Sequence, residues 1–545
     1  MANILLVEPD YKNKYPPIGL MKIATYHKRR GDNVVFYKGK APYPTVIKSD
    51  RVYITSLFTF YYDILIDTIR HYQNFLPEQT IYIGGILATI MHDKLQAEVG
   101  RSHVIPRQLT SSLMLGYDDN VNIDELPIDY DILDDVRYKY PAADNFITYT
   151  TRGCPRRCSF CAVSILEPEF KYTNNLKEQI TEERRLYGDK RNILLMDNNI
   201  LVAPNTKLKE ICDTLVDLGF IKDKPTFIPD NPAKIFFRKL ETRLETKASI
   251  IILVDNFVEY FLKFITRIKN QEISNRLSSM IPLMQSGVRT QTLLENKSFI
   301  IDVVERYRSK KKMQRYVDFN QGIDARLLTE EKMKILSVLP LRPFRLAYDS
   351  SKCTKDYIRA FDIAYRYGVR HFSNYMLFNF NETPGDFWNR ACRNVRLYNS
   401  YEGLHAFSFP MKLAPINMTD RSFIGKHWNK KYLSAMNVIL NVTKGVIARE
   451  KDFFMRAYGK DIKEFHEILT MPNEFIKYRK LFEECGLTEA WRRELHALDR
   501  NERKCLLKYL SGEMSTSFAY HKILRYYKIT RHQLVSGTLN LNDYL

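Results

Sequence analysis

Three cysteines crowd into the stretch "TRGCPRRCSFCAV" (151–163), at Cys154, Cys158 and Cys161. Thiolates are soft ligands that suit zinc and iron–sulfur clusters. A structural zinc site takes four donors, usually from paired C-x₂-C hooks, and no second hook follows this one. Three thiolates on a four-iron cluster would leave one iron without a protein ligand, and an open position is where a metal site takes a substrate or cosubstrate. A redox pair with a spare thiol, or chance clustering, are the remaining readings. Cys212, Cys353, Cys392, Cys485 and Cys505 are scattered and read as ordinary thiols packing as small hydrophobes. Eight cysteines in 545 residues are too few for a disulfide scaffold and fit a reducing compartment.

The elements that would position this loop can be traced from the N-terminus. Apolar strands at 3–9, 33–39, 51–57 and 80–88 alternate with helices at 19–31, 62–76 and 89–100. This pattern predicts a parallel, doubly wound, Rossmann-like sheet over 1–107, with any ligand at the carboxyl ends of its strands. Gly84 and Gly85 fall at such an end, where they either let a backbone approach a ligand or make a tight turn. Residues 108–144 carry few periodic signals and read as a linker.

A second β/α series occupies 145–424. Strands are expected at 145–151, 192–199, 315–323, 344–350, 371–380 and 405–413, with helices at 206–219, 329–339, 354–368 and 383–399. Thr329, followed by acids, has the look of a capping box. Six right-handed βα units predict a partial (β/α)6 barrel of TIM type. The connection at about 221–311 is far too long for a loop and reads as a helical, basic insertion. Residues 425–545 read as an α-helical C-terminal domain. The fold class is α/β.

With its C-x₃-C-x₂-C spacing, an aromatic (Phe160) before the last cysteine, an upstream strand and six βα units, the chain resembles the radical S-adenosylmethionine superfamily. It looks in particular like those members that carry a cobalamin-binding domain before the barrel. The resemblance implies that Cys154, Cys158 and Cys161 hold a 4Fe-4S cluster whose fourth iron is chelated by S-adenosylmethionine. Reductive cleavage then yields a 5′-deoxyadenosyl radical, with the electron drawn from a donor such as flavodoxin or ferredoxin. In "LLMDNNIL", Asp197, Asn198 and Asn199 stand where the family contacts the methionine amino group, although the usual Gly-Gly-Glu is missing. Asn320, Gln321 and Asp324 in "FNQGIDARLL" match positions near ribose or carboxylate, and Asn379 and Glu382 in "LFNFNETPGDF" match the segment after the fifth strand. "FPMKLAPI" resembles the adenine-side segment. The alternative for each polar residue is a cap or a turn; Glu382 and Thr383, at a helix start, are candidates for capping it.

"YPPIGLMKIATYHKRRGDNVVFY" and "YIGGILATIMHD" resemble the cobalamin-binding domain, which places Gly84 and Gly85 at its later glycine turn. The D-x-H-x-x-G signature of histidine-ligated cobalamin is absent, and His27, His71, His92 and His103 lack its context. The domain therefore either binds cobalamin without a histidine ligand or is vestigial. Residues 1–153 contain no cysteine, which sets aside the methylthiotransferase branch. The leading expectation is cobalamin-dependent methyl transfer to an unactivated carbon of an unidentified substrate. The alternatives are a radical cyclase or rearrangement, or modification of a tRNA, rRNA or DNA base.

The formal net charge is +20, with basic surplus in both the insertion and the tail, which favours a nucleic-acid partner or a merely solvated basic surface. The start "MANILLVEPDYK" lacks a signal peptide's basic region. "ASIIILVDNFVEYFLKFI", the most apolar run, is broken by Asp255, Glu259 and Lys263, so the expectation is a cytoplasmic protein with no membrane partner.

Overall fold

The computed structural model describes every residue except 174, 285 and 514–517. The chain forms two compact units. One comprises 1–321, 334–342 and 415–421; the other comprises 322–333, 343–414 and 422–545.

The first unit opens with five strands, β1 (Asn3–Glu8), β2 (Asn33–Lys38), β3 (Arg51–Ser56), β4 (Ile81–Gly85) and β5 (His103–Ile105), ordered β2-β1-β3-β4-β5 and all parallel. The helices between them are α1 (Ile18–Arg29), α2 (Tyr43–Val46), α3 (Tyr62–Gln73), α4 (Ile86–Ile90) and α5 (His92–Glu98). Alternate residues of each strand enter opposite cores, as a period of two requires. Ile4 and Leu6 join Tyr53, Tyr82 and α1 on one face, while Leu5 and Val7 join Val52, Ile54, Ile83 and α3 on the other. Burial on both faces is why the strands read as continuous apolar runs.

Two details differ from the sequence reading. The strand expected over 80–88 stops at Gly85, and Ile86 starts a helix. Apolar runs such as "ILATI" read alike in a strand and a buried helix. Here the break is set by Gly85, whose φ of +105° and close approach to the Ser56 backbone leave no room for a Cβ. The 108–144 segment does have little regular structure, but it is more than a tether. Ile123, Leu126, Ile128, Tyr130, Ile132 and Tyr140 are buried in the first core, so the segment covers the face that α1 leaves open.

The six strands of the second series are all present. In the first unit β6 (Asn145–Thr148) is followed by the two-residue strands β7 (Thr151–Arg152) and β8 (Lys171–Tyr172), which pair antiparallel, then by β9 (Asn192–Leu195) and β10 (Tyr316–Phe319). Strands β6, β9 and β10 form a parallel sheet in that order. The helices α6 (Val163–Leu166), α7 (Leu176–Tyr187) and α8 (Asn205–Asp217) lie between them in the chain. The insertion is helical, α9 (Pro232–Glu245), α10 (Ile251–Ile265), α11 (Gln271–Met284), α12 (Arg289–Glu295) and α13 (Lys297–Tyr307), around its own core. Its neck is closed by a backbone bridge between Phe227 and Met313, which lets β10 return beside β9.

In the second unit, β11 (Phe344–Ala347), β12 (His371–Phe378) and β13 (His405–Lys412) form another parallel sheet in chain order. Between the two sheets in the chain runs α14 (Glu330–Leu336), and in the second unit α15 (Thr354–Arg366) follows β11 and α16 (Pro384–Asn399) follows β12. The described residues from Lys430 onward are largely helical. Among the described residues no helix is long and apolar enough to cross a membrane.

Candidate metal and cofactor site

The cysteine loop leaves the carboxyl end of β6 through Tyr149, Thr150 and β7. Gly153 makes the turn. Its φ is +77°, and a Cβ there would run into the carbonyls of Glu167 and Glu169, so this is a position only glycine fills without strain. Cys154, Cys158 and Cys161 follow, all half-buried. The Cys161 N–H donates to the Cys158 carbonyl at 3.0 Å, a turn that fixes the last two thiols relative to each other, and α6 begins two residues later.

Charges lock the loop at both ends. Glu167, just past α6, accepts from the Gly153 N–H at 2.8 Å and pairs with Arg152 at 3.0 Å. Arg152 also makes a two-pronged contact with Asp124, both at 2.8 Å, and stacks on the Tyr149 ring at 3.8 Å. Burial opposes the charge of Arg152, but Tyr149, Asp124 and Glu167 outweigh it and hold its pKa above the usual arginine value. Asp124 and Glu167 were invisible in the sequence, because neither is local to Arg152.

The three candidates after β9 separate by role. Asp197 is buried and turned inward, its carboxylate accepting from the N–H and hydroxyl of both Thr150 and Thr151, while burial raises its pKa. It holds the end of β6 in place. Asn198 donates to Glu167 at 2.6 Å, a further brace on the loop. Asn199 is buried, and its amide lies 3.6 Å from the Cys154 sulfur. Its Oδ1 has no partner among the described residues. Of the three, Asn199 is the one that meets a candidate ligand.

At the end of β10, Asn320 is buried and accepts from the Tyr15 hydroxyl at 2.7 Å, which ties the segment after β1 to this sheet. Gln321 is exposed. The carboxyl edge of the first sheet also reaches the cysteine loop, since α4, directly after Gly84 and Gly85, packs against α6. Gly85 is explained by its contact with Ser56, whose hydroxyl donates to the Gly84 carbonyl and accepts from the Ala88 N–H. The tight-turn reading of this glycine pair therefore accounts for Gly85.

The chain reverses direction across the sheet between β1 and β3, the place where such folds hold ligands. Aromatic rings line it. Tyr11 stacks on Tyr61 at 4.7 Å, Phe58 on Phe60 at 5.1 Å, and Arg421 lies 3.9 Å over Phe60. At its floor Lys38 pairs with Glu8 at 2.8 Å beneath Tyr11, Tyr138 and Tyr140. Each histidine of this unit has a partner elsewhere. His27 is buried between Asp32 and Tyr53, His71 bonds the Ala41 carbonyl, His92 pairs with Asp93 and His103 stacks on Tyr82.

In the second unit the remaining candidates make the following contacts within that unit. Asp324 is buried and held by Arg326, at 2.7 Å from Nε. Asn379, fully buried at a φ of +62°, accepts from the Gly425 N–H at 2.7 Å and donates to the Phe423 carbonyl at 2.9 Å. Glu382 accepts from the Ser351 N–H at 2.7 Å and pairs with buried Arg390 at 3.0 Å. The cap of α16 is Thr383 with Asp386, so Glu382 is not its capping residue.

Among the described residues no three Cys, His, Asp or Glu side chains are gathered as a ready-made site for a metal ion. Three half-buried thiols do sit on one braced loop, with the Asn199 amide near one sulfur, and thiolates are the donors an iron–sulfur cluster takes. The β1/β3 edge offers stacked aromatic rings, the kind of surface a planar cofactor would stack on.

Comparison with solved structures finds the radical S-adenosylmethionine methyltransferase TsrM of Kitasatospora setae. With cobalamin and a [4Fe-4S] cluster bound, it aligns at 12% identity over 75% of each chain, with a TM-score of 0.43. With tryptophan substrate and a SAM analog bound, it aligns at 12% identity over 73% of this chain and 71% of that one, with a TM-score of 0.41. No protein-family model matches the sequence. No curated protein matches it either.

Proposed function

We propose that this chain is a radical S-adenosylmethionine enzyme that transfers a methyl group from cobalamin to an unactivated carbon. The observation that carries the proposal is the cysteine loop at the carboxyl end of β6, closed by Gly153, Arg152 and Glu167 and packed through α6 against the ligand edge of the N-terminal sheet. Cys154, Cys158 and Cys161 would hold the cluster, and Asn199 would set the orientation and electron density of the Cys154 sulfur. When bound, the cluster supplies the electron that cleaves S-adenosylmethionine to a 5′-deoxyadenosyl radical. The chain's own part is to bind, orient and keep water away. The orders β6-β9-β10 and β11-β12-β13 both follow the chain, as consecutive staves of one open barrel would, which supports a six-stranded partial barrel.

The test is anaerobic reconstitution with iron and sulfide. Four irons per chain and release of 5′-deoxyadenosine with reductant are expected, and both should vanish in Cys158→Ala. Undiminished release in that variant would overturn the assignment. Added cobalamin should give a spectrum perturbed by Phe58→Ala, and turnover should yield S-adenosylhomocysteine. 5′-Deoxyadenosine without S-adenosylhomocysteine would instead assign a cyclase or rearrangement.

A further inference from the structure

A second charged feature lies inside the second unit. A cavity of about 380 Å³ opens between the start of α15 and the first three turns of α16. This is within the usual size of small-molecule sites, about 300–1,000 Å³. Four cations line it, Lys352, Lys355, Arg390 and Arg393.

Three of them are uncompensated. Among the described residues Lys352, Lys355 and Arg393 have no carboxylate within ion-pair distance, although Arg359, Arg366, Arg456 and Arg525 of the same unit each have one. Cations gathered without counter-charges repel one another, and an arriving anion relieves that repulsion. Arg390 gives the cavity a rigid, buried wall whose charge is answered by Glu382. It is 2% exposed and donates to the carbonyls of Tyr348 and Leu377 at 2.7 and 2.6 Å while pairing with Glu382. The one acid on the lining, Asp386, is turned to the helix start, where it accepts from the Thr383 N–H at 2.9 Å and hydroxyl at 2.7 Å. The N-terminus of α15, whose N-cap Cys353 offers no side-chain cap, adds its partial positive charge.

We propose that this cavity binds a phosphorylated small molecule through its phosphate. Phosphate is the anion that best matches several cations of different reach, with Arg393 able to take two oxygens at once and the lysines acting as point charges. The volume beyond the phosphate leaves space for the group that bears it. No residue of the cysteine loop is on the lining, so Cys158→Ala is expected to leave binding unchanged.

Calorimetric titration of the full chain tests it, with inorganic pyrophosphate and adenosine monophosphate as probes. Saturable binding is expected for at least one of them. Lys352→Glu combined with Arg393→Glu should weaken it at least tenfold, about 1.4 kcal/mol, while the ligand-free melting temperature stays within a degree or so because both side chains are exposed. Lys352→Arg should retain binding. No saturable binding up to about 10 mM, or binding unchanged in the double variant, overturns the proposal. Binding of a single-stranded oligonucleotide that the double variant abolishes, with neither small probe bound, also overturns it and assigns the cavity to nucleic acid.

Discussion

Arg152 is the residue on which the cysteine loop turns. Its side chain is 6% exposed, and a buried guanidinium is tolerable only while its partners surround it. Arg152→Met leaves Asp124 and Glu167 without their shared cation. We expect a loss of about 3–5 kcal/mol in urea unfolding, together with poor iron uptake on reconstitution, and Arg152→Lys should recover charge without the fork and fall between. Asn199 acts on the metal side. Hydrogen bonds to cluster sulfurs stabilise the reduced state, so Asn199→Ala should keep four irons per chain but move the cluster potential to more negative values in a spectroscopic redox titration. The cysteines were legible because their spacing is local. The choice among Asp197, Asn198 and Asn199 was not, since three adjacent residues leaving a strand point in different directions and only their long-range partners separate them. Asp124 is 28 residues from Arg152, and nothing in the local pattern joins the two.

At the scale of elements, α7 and α10 show how a buried helix face is read. Helix α10, the run that most resembled a membrane segment, buries Leu253, Val254, Phe257, Phe261 and Phe264 at helical spacing, and Phe257 stacks on Phe236 at 3.8 Å. Its breaks at Asp255 and Glu259 mark the outer face, where Asp255 pairs with Arg137 and Arg289. Phe257→Ala should cost about 3–5 kcal/mol in the insertion. Helix α7 holds a less visible device. Glu183 is fully buried, accepts from the Ile128 N–H at 3.0 Å and Gln179 at 2.8 Å, and has a second oxygen without a partner among the described residues. Burial raises its pKa from 4.5 to about 7, against those two hydrogen bonds. A carboxyl with a raised folded pKa stabilises below its unfolded pKa and loses that contribution as pH rises through about 7. The wild type should therefore weaken from about pH 5 to about pH 8 relative to Glu183→Gln, by on the order of 3 kcal/mol in paired urea melts. Helix α7 was not among the helices expected from the sequence, and nothing in "EQITEERRLY" marked Glu183 as the buried acid among its neighbours.

Across the whole molecule, a surplus of twenty positive charges must reside on cations that no acid answers. Much of the insertion's basic character is structural, since Lys239 pairs with Asp131 and Asp134, Arg243 with Asp135, Lys297 with Glu241 and Arg308 with Glu305. These pairs fasten the insertion to the 108–144 layer or close its own helices. Lys234, Lys247, Lys269, Lys311 and Lys312 have no acidic partner among the described residues, and they carry the field. Alternation of strands and helices made the strands of both β/α series legible, though not the early end of β4 at Gly85 or helix α7. The layer formed by 108–144 was not, because irregular backbone buries side chains without any period to announce it. Where a positive surplus is exposed, phosphate contacts release counterions and affinity falls linearly with salt on logarithmic axes, with a slope of about −0.9 per contact for duplex DNA and about −0.7 for single strands. Binding of a labelled structured RNA should follow such a line. Reversing Lys311 and Lys312 together, as Lys311→Glu with Lys312→Glu, should flatten the slope by about 1–2 while leaving urea unfolding unchanged. An affinity that does not respond to salt would leave the surplus as surface solvation alone, and the catalytic reading would then rest entirely on the cysteine loop.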